Sequence, residues 1–287
     1  MRRNIDHLVI AVRSLDAAKQ FYERLGFRVG APNLHPWGTR NRIIQIGEAF
    51  LELIEVAEPS LIPDHGAGAF SFGAFVRDYL SRREGLAMLV LTSRDAAADA
   101  RAFDHAGIGS FDPFFFERLG RRPDGSETRV AFTLAFAQDP GTSGAGFFVC
   151  EHHHPENFWN PEFQRHPNGA VSVASATLVC EQPERHRCFL ETFTSEHDTG
   201  EGGSNVALKL ASARLDAVVS EDAARLFGSV EDDESGANFV AYGIGIRDLP
   251  ALARQLDHEG MTYERIGSRI VVPASVAFGV AISFEPV

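Results

Sequence analysis

The chain opens with Ile5-Asp6-His7-Leu8-Val9-Ile10-Ala11-Val12, an aliphatic and β-branched run that predicts a buried strand. From Ser14 to Gly26 the apolar residues change to helical spacing, with Ser14 suited to the N-cap and Gly26 to the C-cap. Phe27-Arg28-Val29 then predicts a strand, and turns follow through Pro32-Asn33 and Trp37-Gly38. Two further strands are expected at Arg42 to Ile46 and Ala49 to Ile54, so residues 5–55 make one βαβββ unit.

The same pattern recurs. Residues 85–152 start with the apolar run Leu86 to Leu91, and Ser93-Arg94-Asp95-Ala96-Ala97 mirrors Ser14-Leu15-Asp16-Ala17-Ala18. Strands are expected at Phe114 to Phe116, Thr128 to Phe136 and Gly146 to Glu151. Between the two units, residues 56–84 read as a connector rich in Gly, Pro and Ala, yet its Phe70, Phe72, Phe75 and Tyr79 must pack somewhere. A polar crossing with His152, His153, His154, Trp159 and His166 leads to two weaker units, 170–220 and 238–286. The acidic run Glu231-Asp232-Asp233-Glu234 predicts a solvated loop.

The order of these elements resembles the vicinal oxygen chelate superfamily of glyoxalases, extradiol dioxygenases and bleomycin-resistance proteins. The resemblance is carried by Asp6-His7 on the first strand, Leu25-Gly26-Phe27 after the helix and Leu51-Glu52-Leu53 on the last strand. His35-Pro36-Trp37-Gly38-Thr39-Arg40-Asn41 is similar to the glyoxalase-like domain branch in particular. The fold class it implies is α+β, with tandem βαβββ modules paired into two domains of curved mixed sheets and flanking helices. The units place these domains at residues 1–155 and 156–287.

Composition narrows the partners. A net charge of -12 with no basic run argues against nucleic acid. The N-terminal apolar stretch is too short for a membrane span and lacks a cleavage site, so a cytoplasmic protein is expected. Cys150, Cys180 and Cys188 are odd in number and contain no Cys-x-x-Cys pair, which signals neither a disulfide framework nor a thiolate zinc site. A small molecule is the expected partner, and a second copy in a homodimer is a further candidate.

In the resembling family, residues projecting from first and last strands hold a divalent metal, here zinc, nickel, manganese or iron. His7 and Glu52 match those positions. In the second unit Leu86 or Ala87 takes the place of His7, while Glu151 stands as far from Gly146 as Glu52 does from Gly47. His7, Glu52 and Glu151 thus form a candidate metal triad; a one-residue slip would turn His152 or Cys150 inward instead. The plain alternative is a buried, hydrogen-bonded His7 with Glu52 as its partner and no metal. His35, Trp37, Thr39 and Asn41 are expected on a loop over the cup mouth as substrate-binding residues, against a reading in which Gly38 and Asn41 merely form a turn. Glu151 or His35 is the expected proton carrier. Together these imply a metal-dependent isomerase, lyase or dioxygenase acting on a small oxygenated substrate. The alternative is a binding protein of the resistance type, whose pocket the 23 Phe residues would suit.

Overall fold

The opening aliphatic run forms β1 (Ile5–Ala11), and all of it is buried. It lies in an eight-stranded mixed sheet with β2 (Asn33–Leu34), β3 (Thr39–Ile46), β4 (Ala49–Val56), β5 (Gly85–Ser93), β6 (Phe114–Arg121), β7 (Glu127–Ala137) and β8 (Gly146–His152). The strand order is β2-β3-β4-β1-β5-β8-β7-β6. Each unit pairs its first strand in parallel with its last, β1 with β4 and β5 with β8, and the units join where β1 meets β5 antiparallel. The computed structural model describes residues 2–66, 68–121, 127–142, 144–200, 204–228 and 236–287. The acidic run 231–234 lies outside them.

Helix α1 (Leu15–Arg24) is capped by Ser14, whose hydroxyl accepts the Ala17 N–H. A second helix, α2 (Phe72–Arg82), occupies the stretch read as a connector. Ser71 caps it, and Phe72, Val76 and Tyr79 form its buried stripe, while half-buried Phe70, just before the helix, and Phe75 pack against the same cluster. Helix α3 (Ala96–His105) repeats α1, with Asp95 accepting the Ala98 N–H. The strand expected at Phe27 to Val29 does not form, because the Arg28 N–H is taken by the His166 ring and the Gly30 N–H by the Ile43 carbonyl.

After the short α4 (Pro155–Phe158), a second sheet contains β9 (Ala170–Val179), β10 (Val206–Lys209), β11 (Arg214–Val218), β12 (Asn238–Ile246), β13 (Glu264–Ile266), β14 (Arg269–Val272) and β15 (Ala281–Pro286). Its order is β10-β11-β9-β12-β15-β14-β13. Helices α5 (Pro183–Thr194), α6 (Ser220–Phe227) and α7 (Leu249–His258) accompany it.

Strand alternation sorts the first sheet's side chains onto two faces. Leu8 and Ile10 enter a large core shared with α1, α3 and the second sheet, where Leu178, Phe239 and Ile244 meet them. The Tyr22 and Tyr242 hydroxyls cross this core at 2.7 Å. Val9 and Ala11 point the other way, into an aromatic cluster closed by α2. His7 shares their side.

The polar crossing between the sheets is pinned to the first. Gln45 donates to the Phe158 carbonyl and accepts the Asn160 N–H, at 2.7 and 3.0 Å. Buried His166 accepts the Arg28 N–H at Nδ1 and donates from Nε2 to the Gln45 carbonyl. Burial and the nearby Arg28 charge lower its pKa, with the Gln45 carbonyl opposing them. The folded state therefore binds fewer protons here than the unfolded chain, and this site loses stability as pH falls through the unfolded value of about 6.5, by at most about 1.4 kcal/mol per pH unit. Unfolding free energies measured between pH 7.5 and 5 should show a shallower slope for His166→Gln than for the wild type; equal slopes would refute this. Among the described residues no helix is long and apolar enough to cross a membrane.

Candidate functional site

Asp6 is the first positioning device. Ile5 pairs with Leu91 and His7 with Val90, so Asp6 is the extra residue of a bulge between β1 and β5. Freed from strict alternation, its carboxylate stays beside the His7 ring, with Oδ1 2.6 Å from Nδ1. Its Oδ2 lies 3.0 Å from His152 Nε2. Burial alone would raise the Asp6 carboxyl, but the imidazoles of His152 and His7 more than offset it and bring it down to about 2. Asp6 is thus a carboxylate that accepts from both rings.

With Nδ1 donating to Asp6, His7 leaves the Nε2 lone pair free, and this atom lies 3.7 Å from Glu52 Oε2. His7 stacks on Phe50, its neighbour on β4, at 4.3 Å between ring centres. Glu52 is fixed in turn by Asn41, whose amide donates to Oε1 at 2.5 Å. The same amide lies 3.2 Å from His35 Nε2, and His35 Nδ1 lies 2.8 Å from the Thr39 hydroxyl. This chain needs His35 neutral, with its proton on Nδ1. Burial lowers the His35 pKa, Glu52 pulls it back up and Arg118 adds to the lowering.

His35 does not ride on an exposed loop. It is 5% exposed, its N–H bonds the Thr39 carbonyl, and its ring stacks on Trp37 at 4.7 Å. Gly38 makes the turn possible at φ +80°, where a Cβ would lie 2.4 Å from the Glu58 carbonyl. Of the expected substrate-binding residues, His35, Trp37 and Asn41 line a cleft, while buried Thr39 supports His35 through its hydroxyl.

Glu151 is not brought to this group. Its carboxylate accepts the Ala96 N–H at the start of α3, at 2.9 Å. Glu55 accepts the Leu15 N–H at the start of α1 in the same way, at 2.6 Å. The pairing explains the displacement. Ala11 pairs with Ile54 and Thr92 with Cys150, and both first members stand three residues before a helix cap. Aligned on the caps, Glu151 corresponds to Glu55, Phe148 to Glu52, and Met88, rather than Leu86 or Ala87, to His7. Counting from the glycines misaligned the units by three residues. An anionic side chain at a helix N-terminus satisfies free N–H groups and the helix dipole.

On β8, Phe148 and Cys150 line the cleft, and His152 follows them on the same side of the strand. Cys150, His152 and Asp6 place donor atoms within 4.8 Å of one another. The Cys150 thiol is pushed well up by burial and by the charges of Asp6, Glu52 and Glu151, so it is protonated at neutral pH. His152 Nδ1 is buried without a hydrogen-bond partner. The cleft is half-enclosed and opens to solvent at its mouth. Aromatic rings dominate its wall, including Phe50, Phe72, Phe132 and Phe158, and the polar groups of His7, His35, Asn41, Glu52 and Arg118 converge on it. Asp6, Arg118 and Phe158 were not singled out as site residues in the sequence. The Asp6-His7 doublet was a usable signal for the first; nothing local marks the other two.

The sequence matches no curated protein. Among solved structures, a hypothetical protein from Staphylococcus aureus superposes with a TM-score of 0.70 at 12% identity, covering 99% of this chain and 100% of the other. A mutant of 4-hydroxymandelate synthase from Streptomyces coelicolor gives 0.64 at 12% identity, covering 99% and 92%. A xylose isomerase-like TIM barrel/4-hydroxyphenylpyruvate dioxygenase fusion protein gives 0.52 at 14% identity, covering 99% of this chain and 49% of that one. These likenesses establish the α+β fold of two curved mixed sheets. The family model described as "Glyoxalase-like domain" matches residues 5–194, and the chain therefore belongs to the glyoxalase-like family of the vicinal oxygen chelate superfamily.

Proposed function

We infer that this protein is a divalent-metal enzyme acting on a small oxygenated molecule in the cleft of the first sheet, with His7 and Glu52 as the protein ligands. The superfamily typically uses a divalent metal. The observation that carries the reading for this chain is the Asp6 carboxylate on His7 Nδ1, 2.6 Å away, opposite an Nε2 that lies 3.7 Å from Glu52. Metal-binding histidines almost always donate their second ring nitrogen to a carboxylate or carbonyl, which fixes the tautomer and raises ligand basicity. Imidazole and carboxylate suit zinc, nickel, manganese or ferrous iron. The donor set therefore fits such an ion.

A bound ion would supply Lewis acidity toward a substrate oxygen. The residues do the rest. Phenylalanine rings exclude water, Asn41 holds the Glu52 carboxylate, and neutral His35 takes or returns a proton at Nε2 once a substrate group replaces the Asn41 N–H on that nitrogen alone. Glu151, committed to α3, has no part in this reading. Metal analysis of protein purified without a His tag tests it: about one divalent ion per chain is expected, and a chain that takes up none after reconstitution with zinc, nickel, manganese and iron refutes it.

One observation favours a sequestering protein instead. Met88 and Phe148 stand where the second unit would offer ligands, so the donors come unevenly from the two units. Ligand binding that persists at full affinity in metal-free protein, without turnover, would identify this case.

A further inference from the structure

Arg118 sits in the cleft wall on β6, opposite Val130 of β7 and on the same side of its strand as Phe114 and Phe116. Among the described residues its guanidinium has no hydrogen-bond acceptor; Glu52 is felt as a charge but forms no ion pair with it. A second unused donor lies on the same side. Trp37 Nε1 is buried without an acceptor, and the indole packs edge-on against Phe114 and Phe116 at 5.3 and 5.2 Å. An indole N–H buried without a partner is costly, the half-buried Arg118 guanidinium gives up part of its hydration with no acceptor in return, and a site that keeps both is matched to an acceptor arriving from outside. A carboxylate meets the planar guanidinium with two parallel hydrogen bonds. The remaining wall, Phe50, Phe72, Phe132, Phe148 and Phe158, offers rings to a flat apolar body. In a chain of net charge -12 a negative ligand gains nothing from the overall field, so this local cation must hold it.

We propose that the cleft selects small aromatic carboxylates, with the carboxylate held by Arg118 beside Trp37 and the ring among the phenylalanines. The proposal rests on the cleft being the substrate site, but it assigns the carboxylate to Arg118 and not to the ion of His7 and Glu52.

Calorimetric titration of the whole protein with benzoate, phenylacetate, benzamide, phenylacetamide and acetate tests it, in metal-loaded and in chelated protein. The acids are expected to bind at least about tenfold more tightly than their amides, since a charged hydrogen-bonded pair is worth that much, and acetate should bind far more weakly for lack of a ring. Arg118→Gln should abolish the preference for acid over amide, and Arg118→Lys should retain part of it; circular dichroism and melting confirm that both variants fold. A preference that persists in chelated protein and disappears in Arg118→Gln supports the subsite whatever becomes of the metal. A preference that disappears on chelation but survives Arg118→Gln overturns it and leaves the metal reading standing. Amides binding as well as acids, or neither binding, overturns it as well.

Discussion

In the His7→Ala variant, divalent-metal content after chelation and reconstitution is expected to fall from about one ion per chain to background, a loss beyond the roughly 10–100-fold that outer-shell partners cost. His7 supplies the one imidazole nitrogen that faces Glu52 with its lone pair free, because Nδ1 is occupied by Asp6. Removing it leaves Glu52 as a lone carboxylate already bonded to Asn41, and one carboxylate oxygen does not hold a borderline ion against water. The substitution also deletes a buried ring stacked on Phe50, so a stability loss of about 0.5–3 kcal/mol accompanies it. His7→Gln keeps most of that volume and separates the two effects: metal loss there without a matching drop in melting temperature identifies ligation. Full metal content in His7→Ala would rule out His7 as a ligand, and a wild type that takes up no metal would put the sequestering protein first.

How far the sequence led depended on what kind of signal each feature leaves. His7 and Glu52 were legible because each is a charged or polar residue set among the apolar residues of a buried strand, and a buried polar side chain needs a reason. The paired units were legible because a buried strand followed by a Ser-x-Asp-Ala-Ala helix entry occurs twice, although the caps are Ser14 and Asp95, so that the match of Ser14 to Ser93 is two residues out. Glu151 misled because a count from a turn glycine assumes equal strand lengths, whereas parallel pairing sets the register, and pairing is a non-local property. His35 misled in a milder way. Its neighbours Pro36, Trp37 and Gly38 have the composition of an exposed turn, yet the two-residue bridge of β2 to β3 folds that turn over the sheet and buries the ring. Asp6 stood in plain view, but strand alternation sends residue 6 to the face opposite residue 7, and only the bulge brings its carboxylate to the ring beside it. Arg118 and Phe158 lie far along the chain from His7 and Glu52, and only the curved sheet and the pinned crossing place them in one cleft.

Asp6→Asn is expected to weaken metal binding about 10–100-fold without abolishing it, the range for a residue that acts through a ligand. The carboxylate accepts from two imidazoles, His7 at 2.6 Å and His152 at 3.0 Å. An amide has one oxygen to accept with and one NH2 that can only donate, so one of the two rings must change tautomer or lose its partner. If that ring is His7, its proton moves to Nε2, the atom needed for the ion. Cys150→Ser should leave affinity unchanged under the same reading, because Cys150 only borders the site, and the cobalt-substituted wild type should lack the near-ultraviolet absorption that a thiolate ligand produces. Asp6, Cys150 and His152 nevertheless put three donor atoms within 4.8 Å of one another, and that set makes the opposite forecast. Were the ion held there, Asp6→Asn and Cys150→Ser would each abolish binding, the cobalt protein would show the thiolate band, and His7→Ala would cost only the support its ring gives Asp6. Measuring the three variants and the cobalt spectrum on the same preparation decides whether the metal is held by His7 and Glu52 or by Asp6, Cys150 and His152.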